Sequence, residues 1–140
     1  MLMGKPAPGQ DFAAEILALR ERPQHVMFFN EPDMPTSVGG SSLSPARAAQ
    51  IMKTEGRKLS AAGIKIVFAG TTSNQNGDQW RAQFKVECAG ECPIDVMGFH
   101  FHGTDVAEYG RYVKKFVHEN PGKEIWATRS DKLDMTRSQA

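Results

Sequence analysis

The stretch Val26-Met27-Phe28-Phe29-Asn30-Glu31-Pro32-Asp33 decides how this chain folds. Its apolar first half is typical of a strand buried on both faces, and its polar second half places a carboxylate where that strand reaches the surface. A carboxylate held at that position can exchange protons with a substrate, so Glu31 is the first candidate for a functional residue. A second apolar run, Ile125-Trp126-Ala127-Thr128, ends at Arg129, where a two-carboxylate enzyme would need its other acid.

Strand-like and helix-like segments alternate along the sequence. Strands are predicted at 25–30, 64–69, 94–101 and 124–128. Helices are predicted between them and before the first strand, with N-caps at Asp11, Ser44, Asp78 and Asp105. Strands that alternate with helices predict parallel pairing through right-handed crossovers, and therefore an α/β class.

Polar residues cluster directly after each predicted strand. They are Asn30-Glu31, Thr71-Thr72-Ser73-Asn74, His100-Phe101-His102 and Thr128-Arg129. This arrangement is typical of a (β/α) barrel, in which the loops after the strands carry the chemistry. A doubly wound open sheet has the same periodicity, but no glycine-rich phosphate loop follows any of these strands.

Length and composition narrow the class of protein further. The 140 residues, 40% of them hydrophobic, predict one globular domain spanning 1–140. A formal net charge of +1 argues against a nucleic-acid partner. No run of about 18 apolar residues predicts a membrane span. The first residues, Met1 to Pro6, do not form a secretory signal.

A set of motifs in this order resembles the glycosyl hydrolase catalytic core family, specifically glycoside hydrolase family 128, whose characterised members are endo-β-1,3-glucanases. The motifs are Phe29-Asn30-Glu31-Pro32-Asp33, Ser44-Pro45 with Ala48, Trp80, Phe84, Cys88, Cys92, Asp95 and His100, and Ile125-Trp126-Ala127-Thr128. The resemblance is strongest over 23–128. It implies a partial (β/α)8 TIM barrel whose four units match the fourth to seventh strands of the family barrel, as a single partial catalytic domain.

The resemblance also implies roles for particular residues. Glu31 matches the general acid/base, and Asn30 matches a neighbour that binds a sugar hydroxyl. In a retaining enzyme, a second carboxylate about 5 Å away attacks the anomeric carbon. Arg129 stands where the family has this nucleophile, and Asp131, two residues further on, is not expected to replace it. If Arg129 points into the cleft, it should lower the pKa of Glu31, whereas a general acid needs a raised pKa.

We therefore expect a protein similar to retaining endo-β-1,3-glucanases but weakly active or inactive. The alternative is a non-catalytic protein derived from the fold, with a glucan-binding or structural role. The resemblance implies β-glucan or a related polysaccharide as the partner and an extracellular or cell-wall location. No cofactor is expected. The two free edges and the uncovered inner face of a partial barrel predict self-association.

His100 matches a substrate-contacting position of the family, and His102 stands where the family usually has an aromatic residue. The resemblance makes a disulfide between Cys88 and Cys92 plausible, with free thiols as an alternative. These two cysteines and two histidines also have the ligand types of a tetrahedral zinc site, although their spacing is not a strong zinc signature.

Two roles are open to each of the two tryptophans, which are stacking on sugar rings and packing in the core. Core packing is predicted for both. Strand alternation places Trp126 on the face opposite Arg129, towards the covering helices.

Overall fold

The computed structural model describes residues 1–130. In this part of the chain, four parallel strands form one sheet in the order β1-β2-β3-β4. The strands are β1 (His25–Asn30), β2 (Lys65–Gly70), β3 (Val96–Phe101) and β4 (Glu124–Ser130). The helices are α1 (Phe12–Leu17), α2 (Pro45–Ile51), α3 (Arg57–Ala61), α4 (Gln75–Cys88) and α5 (Val106–Glu119). The predicted α/β class and the parallel pairing of the strands are therefore confirmed.

Side-chain caps determine where the helices begin. Asp105 accepts hydrogen bonds from two backbone N–H groups at the start of α5, as predicted. The start of α4 differs from the prediction at Asp78, because Asn74 caps the helix by accepting a hydrogen bond from the Gly77 N–H at 3.0 Å. The helix that begins at Pro45 continues to Ala61 through a single π-helical segment.

Aromatic side chains join the sheet to its helices. Phe68 of β2 stacks on Trp80 and Phe84 of α4, with ring centroids 5.9 and 5.3 Å apart. Phe99 of β3 packs against Phe116 of α5 at 5.4 Å. Trp80 is buried, and its Nε1–H donates to the backbone carbonyl of Leu43 at 2.8 Å, which confirms that it packs in the core.

The opposite face of the sheet is buried along its central strands, β2 and β3. Val67, Ala69 and Val96 are buried there, so the expectation of an uncovered inner face is wrong for the described residues. Trp126 of β4 reaches His25 of β1, the strand at the other edge, with ring centroids 5.0 Å apart. Such a contact requires the sheet to curve as in a barrel.

The predicted orientation of Trp126 towards the helices is wrong. Trp126 is in register with Gly98, whereas Phe99, the next residue of β3, packs against α5. A β-bulge then places Arg129 in register with His100. The extra residue in β4 breaks the alternation that the prediction assumed, so Trp126 and Arg129 both pair with inner-face residues of β3.

The two edges of the sheet differ. Leu2 forms a short parallel bridge with β1: its N–H donates to the Met27 carbonyl at 2.9 Å, and its carbonyl accepts from the Phe29 N–H at 2.7 Å. The prediction that both edges are unpaired is therefore wrong at β1. Within residues 1–130, the outer edge of β4 has no strand partner. Every helix in this part of the chain is too short or too polar to cross a lipid bilayer.

Candidate functional site

Glu31 lies immediately after β1, at the carboxyl end of the sheet. Its backbone N–H donates to the Gly70 carbonyl at the end of β2, at 2.8 Å, and the residue is only 7% exposed. Glu31 has a φ of 41° and Phe29 a φ of 62°, both in the left-handed region. Such conformations cost about 1–3 kcal/mol each in non-glycine residues and concentrate at functional sites.

Two histidines converge on the Glu31 carboxylate. Its Oε1 lies 2.8 Å from Nδ1 of His100 and 3.1 Å from Nε2 of His102. His100 is 2% exposed, whereas the His102 side chain is 37% exposed. Gly70 makes room for the His100 ring, because a Cβ at this position would lie 2.9 Å from Cδ2 of the imidazole. The structure therefore brings together three predicted site residues that are far apart in sequence.

The pKa of Glu31 is lowered from its ordinary value. Burial raises this pKa because it disfavours the charged carboxylate, but the hydrogen bonds and electrostatic attraction of the two imidazoles, His100 and His102, outweigh that effect. Arg129 is not among the groups that shift the pKa of Glu31. The sequence predicted a lowered pKa but assigned it to Arg129. Glu31 is thus held in the ionised form, which accepts protons and does not supply them near neutral pH.

Asn30 shapes the loop that follows β1. Its side-chain amide donates to the Gly39 carbonyl at 3.0 Å, and its backbone N–H donates to Oγ of Ser41, also at 3.0 Å. These contacts fold residues 31–41 back onto the end of β1. A direct contact between Asn30 and a sugar hydroxyl stays a prediction.

Two positioning residues were not among the predicted site residues. Asp33 accepts hydrogen bonds from the backbone N–H of Thr72, at 3.1 Å, and from the Thr72 hydroxyl, tying the loop after β1 to the loop after β2. Ser73 accepts from the His102 N–H at 3.3 Å. The sequence signal for Ser73 was its place in a polar cluster after a strand, and the signal for Asp33 was its place in the motif that follows β1.

Arg129 lies in register with His100 near the end of β4, and its side chain is exposed. Within residues 1–130 it forms no ion pair, with Glu31 or with any other carboxylate. Its assignment to the nucleophile position of the family stays a prediction. Asp131, the other carboxylate considered for that role, lies outside the described residues.

Cys88 and Cys92 form a disulfide at the end of α4. Because α4 leads into β3, this bond lies at the amino end of the strands, opposite the end that carries Glu31. The predicted zinc site, which combined these cysteines with His100 and His102, is therefore wrong. A cavity of about 510 Å³ lies nearby between α4 and the loop after α5, and Phe84 and Met97 are among the residues that line it. None of its lining residues is a predicted catalytic residue.

A family model described as the glycosyl hydrolase catalytic core matches residues 1–133. The chain belongs to this family. Solved structures of glycoside hydrolase family 128 are similar to it in fold, which confirms the predicted family and the partial (β/α)8 barrel. No curated protein matches this family 128 chain in sequence.

Three of the similar structures show how much of a family barrel the chain covers. An exo-β-1,3-glucanase from Aureobasidium namibiae is 27% identical with a TM-score of 0.68, over 85% of this chain and 46% of that one. A curdlan-specific exo-β-1,3-glucanase from Blastomyces gilchristii is 25% identical with a TM-score of 0.69, over 83% and 51%. An oligosaccharide-binding protein from Cryptococcus neoformans, at 20% identity, shares the fold with a TM-score of 0.74, over 97% and 54%. The family 128 chain spans about half the length of these proteins.

Proposed function

We propose that residues 1–140 form a glycoside hydrolase-like unit that recognises β-1,3-glucan and hydrolyses it weakly or not at all. The observation that carries this proposal is the environment of Glu31, the residue at the acid/base position. Its carboxylate accepts hydrogen bonds from His100 and His102, and no carboxylate is among the partners described for it within residues 1–130. The alternative in this fold is a purely glucan-binding or structural role.

Retaining hydrolysis places two opposite demands on two carboxyl groups. One must hold a proton for the leaving oxygen, and the other, about 5 Å away, must attack the anomeric carbon. The lowered pKa of Glu31 works against the first role. Arginine at position 129 cannot fulfil the second, because it stays protonated and places positive charge beside a centre that becomes cationic in the transition state.

The relatives support glucan as the ligand class. The proteins similar in structure include exo- and endo-β-1,3-glucanases and oligosaccharide-binding proteins of family 128. Glu31, His100 and His102 meet at the carboxyl end of the strands, where barrel enzymes bind substrate, and Asn30 precedes Glu31 there. Because β-1,3-glucans are extracellular polymers, an extracellular or cell-wall location follows from this proposal.

Laminarin hydrolysis and laminarin binding, measured on one purified sample with a metal chelator present, test the proposal. We expect saturable binding, and release of reducing sugar far below that of a complete retaining enzyme. His102→Ala should weaken binding by about tenfold, or about 1.4 kcal/mol, because it removes a side chain at the site. His118→Ala, on the exposed side of α5, should leave binding unchanged.

Two results would contradict the proposal. Rapid hydrolysis that Glu31→Gln abolishes would show a competent enzyme, and would require a second carboxylate, of which Asp131 is the first to test. Absence of laminarin binding in a folded sample would remove glucan recognition and leave the structural role.

A further inference from the structure

The cluster of Glu31, His100 and His102 has a second chemical capacity. Each residue offers one ligand atom, and the three atoms lie within 4.8 Å of one another. We propose that these side chains bind a single divalent transition-metal ion of the Zn²⁺ type. This proposal does not rest on glucan recognition, since it follows from the donor atoms alone.

The donor set selects the class of cation. Two imidazole nitrogens and one carboxylate oxygen suit zinc and its first-row neighbours. Magnesium and calcium prefer sites composed of oxygen donors, so neither fits this pair of histidines. The set also leaves a fourth coordination position for water, as in open zinc sites with three protein ligands.

Two of the three separations between donor atoms are close to those of a tetrahedral site, and the third, between the two imidazole nitrogens, is at most 4.8 Å. Zinc bonds of about 2.0–2.1 Å place neighbouring donor atoms roughly 3.3 Å apart. Oε1 of Glu31 is 2.8 Å from the ligand nitrogen of His100 and 3.1 Å from that of His102. Binding therefore requires these two separations to widen by a few tenths of an ångström, as each N–H hydrogen bond is replaced by coordination. It also requires the two imidazole nitrogens, which lie within 4.8 Å of each other, to take up the same spacing.

The backbone holds the three ligand side chains next to one another. His100 lies in β3 and His102 follows its end, two residues apart, so both rings project to the same side. Glu31 is held beside them by the hydrogen bond from its N–H to the Gly70 carbonyl at the end of β2. His100 is buried, and the more exposed His102 provides the side from which a cation enters.

Zinc titration of the full chain without a histidine tag, in competition with a chromophoric chelator and in the absence of glucan, tests this inference. We expect one equivalent to bind. Glu31→Gln and His102→Ala should each weaken affinity by more than the roughly 10- to 100-fold that loss of an outer partner costs, because each removes a ligand. His118→Ala is the matched control, since it removes an exposed histidine of α5 and should bind zinc as the wild type does.

A second measurement keeps the test decisive if a variant fails to fold. Zinc added to the wild-type chain should shift the imidazole NMR signals of His100 and His102 and leave those of His25 and His118 unchanged. Equal losses of affinity in His102→Ala and His118→Ala, shifts spread over all four histidines, or no binding at micromolar zinc would overturn the inference. Because laminarin binding is measured with chelator and zinc binding without glucan, either proposal can fail while the other stands.

Discussion

Glu31 shows how one residue depends on its neighbours for both conformation and charge. Its left-handed φ of 41° is stabilised by the hydrogen bond to Gly70, and its ionised carboxylate by His100 and His102. Two glycines near this site, Gly70 and Gly98, leave no space for a Cβ atom. Gly70 admits the His100 ring, and Gly98 lies where β3 passes close to the β2 backbone and to Thr128.

A pair of glycine-to-alanine substitutions tests that close approach. A Cβ at Gly98 would lie 2.5 Å from the Phe68 carbonyl oxygen and 2.7 Å from Cγ2 of Thr128. We expect Gly98→Ala to lower the free energy of unfolding by about 2 kcal/mol or more, because backbone in the sheet cannot move aside. The control, Gly110→Ala in the open surface of α5, should raise it by about 1 kcal/mol through helix propensity.

Urea unfolding of the wild type and both variants measures these changes. Equal effects of the two substitutions would contradict the structure around Gly98.

At the scale of elements, a charged network joins α4 to α5. Asp78 contacts Nη2 of Arg81 at 2.6 Å and Nζ of Lys115 at 2.7 Å, and Arg81 also contacts Glu119 at 3.5 Å. Arg81 is only 7% exposed, and its guanidinium also lies over the Phe116 ring, 5.1 Å from the centroid. A buried guanidinium requires such partners, so Asp78 is the residue on which the network depends.

Asp78→Asn should therefore destabilise the chain in a pH-dependent way. Burial raises the pKa of Asp78, but the hydrogen bonds and charges of Lys115 and Arg81 outweigh it, so the folded-state pKa lies below the ordinary value. The carboxylate thus stabilises the fold fully above the unfolded pKa of about 3.9, and this stabilisation is lost as pH falls through the lower folded pKa. We expect a cost of roughly 1–3 kcal/mol at neutral pH that shrinks on acidification below pH 4.

Urea unfolding from about pH 6 to pH 3 measures this dependence. Glu21→Gln, which neutralises an exposed acid between α1 and β1, is the control and should follow the wild type. A gap between wild type and Asp78→Asn that stays constant over this range would disprove the role of the ionised carboxylate.

The whole molecule has the curvature of half a barrel with one edge partly protected. Leu2 pairs with β1, and inner-face residues such as Val67 and Val96 are buried. In the described part of the chain, β4 keeps an outer edge without a strand partner, and an open edge is a template for pairing with another chain. The inner face is therefore less available for association than the sequence predicts, whereas the outer edge of β4 is open to it.

We expect the chain to self-associate at micromolar concentration through the β4 edge. Ala127→Lys places a charge on this strand, at an exposed position, and should shift the population towards monomer. Ala107→Lys adds the same charge at an exposed position of α5 and should leave association unchanged. Light scattering after size exclusion measures both, and a monodisperse wild-type monomer would contradict the prediction.

The sequence alone was sufficient for the elements and their class. The apolar runs at Val26 to Phe29 and Ile125 to Thr128 predicted parallel strands, although the second run is only partly buried, and Asp105 predicted the start of α5. The position of Glu31 at a strand end also followed from local pattern. These features depend on neighbouring residues, so they can be derived from the order of residues.

Only the tertiary structure decided which side chains meet. The bulge in β4 after Ala127 put Arg129 in register with His100, and the curvature of the sheet brought Trp126 to His25. The approach of His102 to Glu31, 71 residues away, depends on how β3 is placed relative to β1. The sequence determined the strands, the helices and the carboxylate, whereas its histidine partners and lowered pKa arose from packing, because contacts between distant residues leave no local period to read.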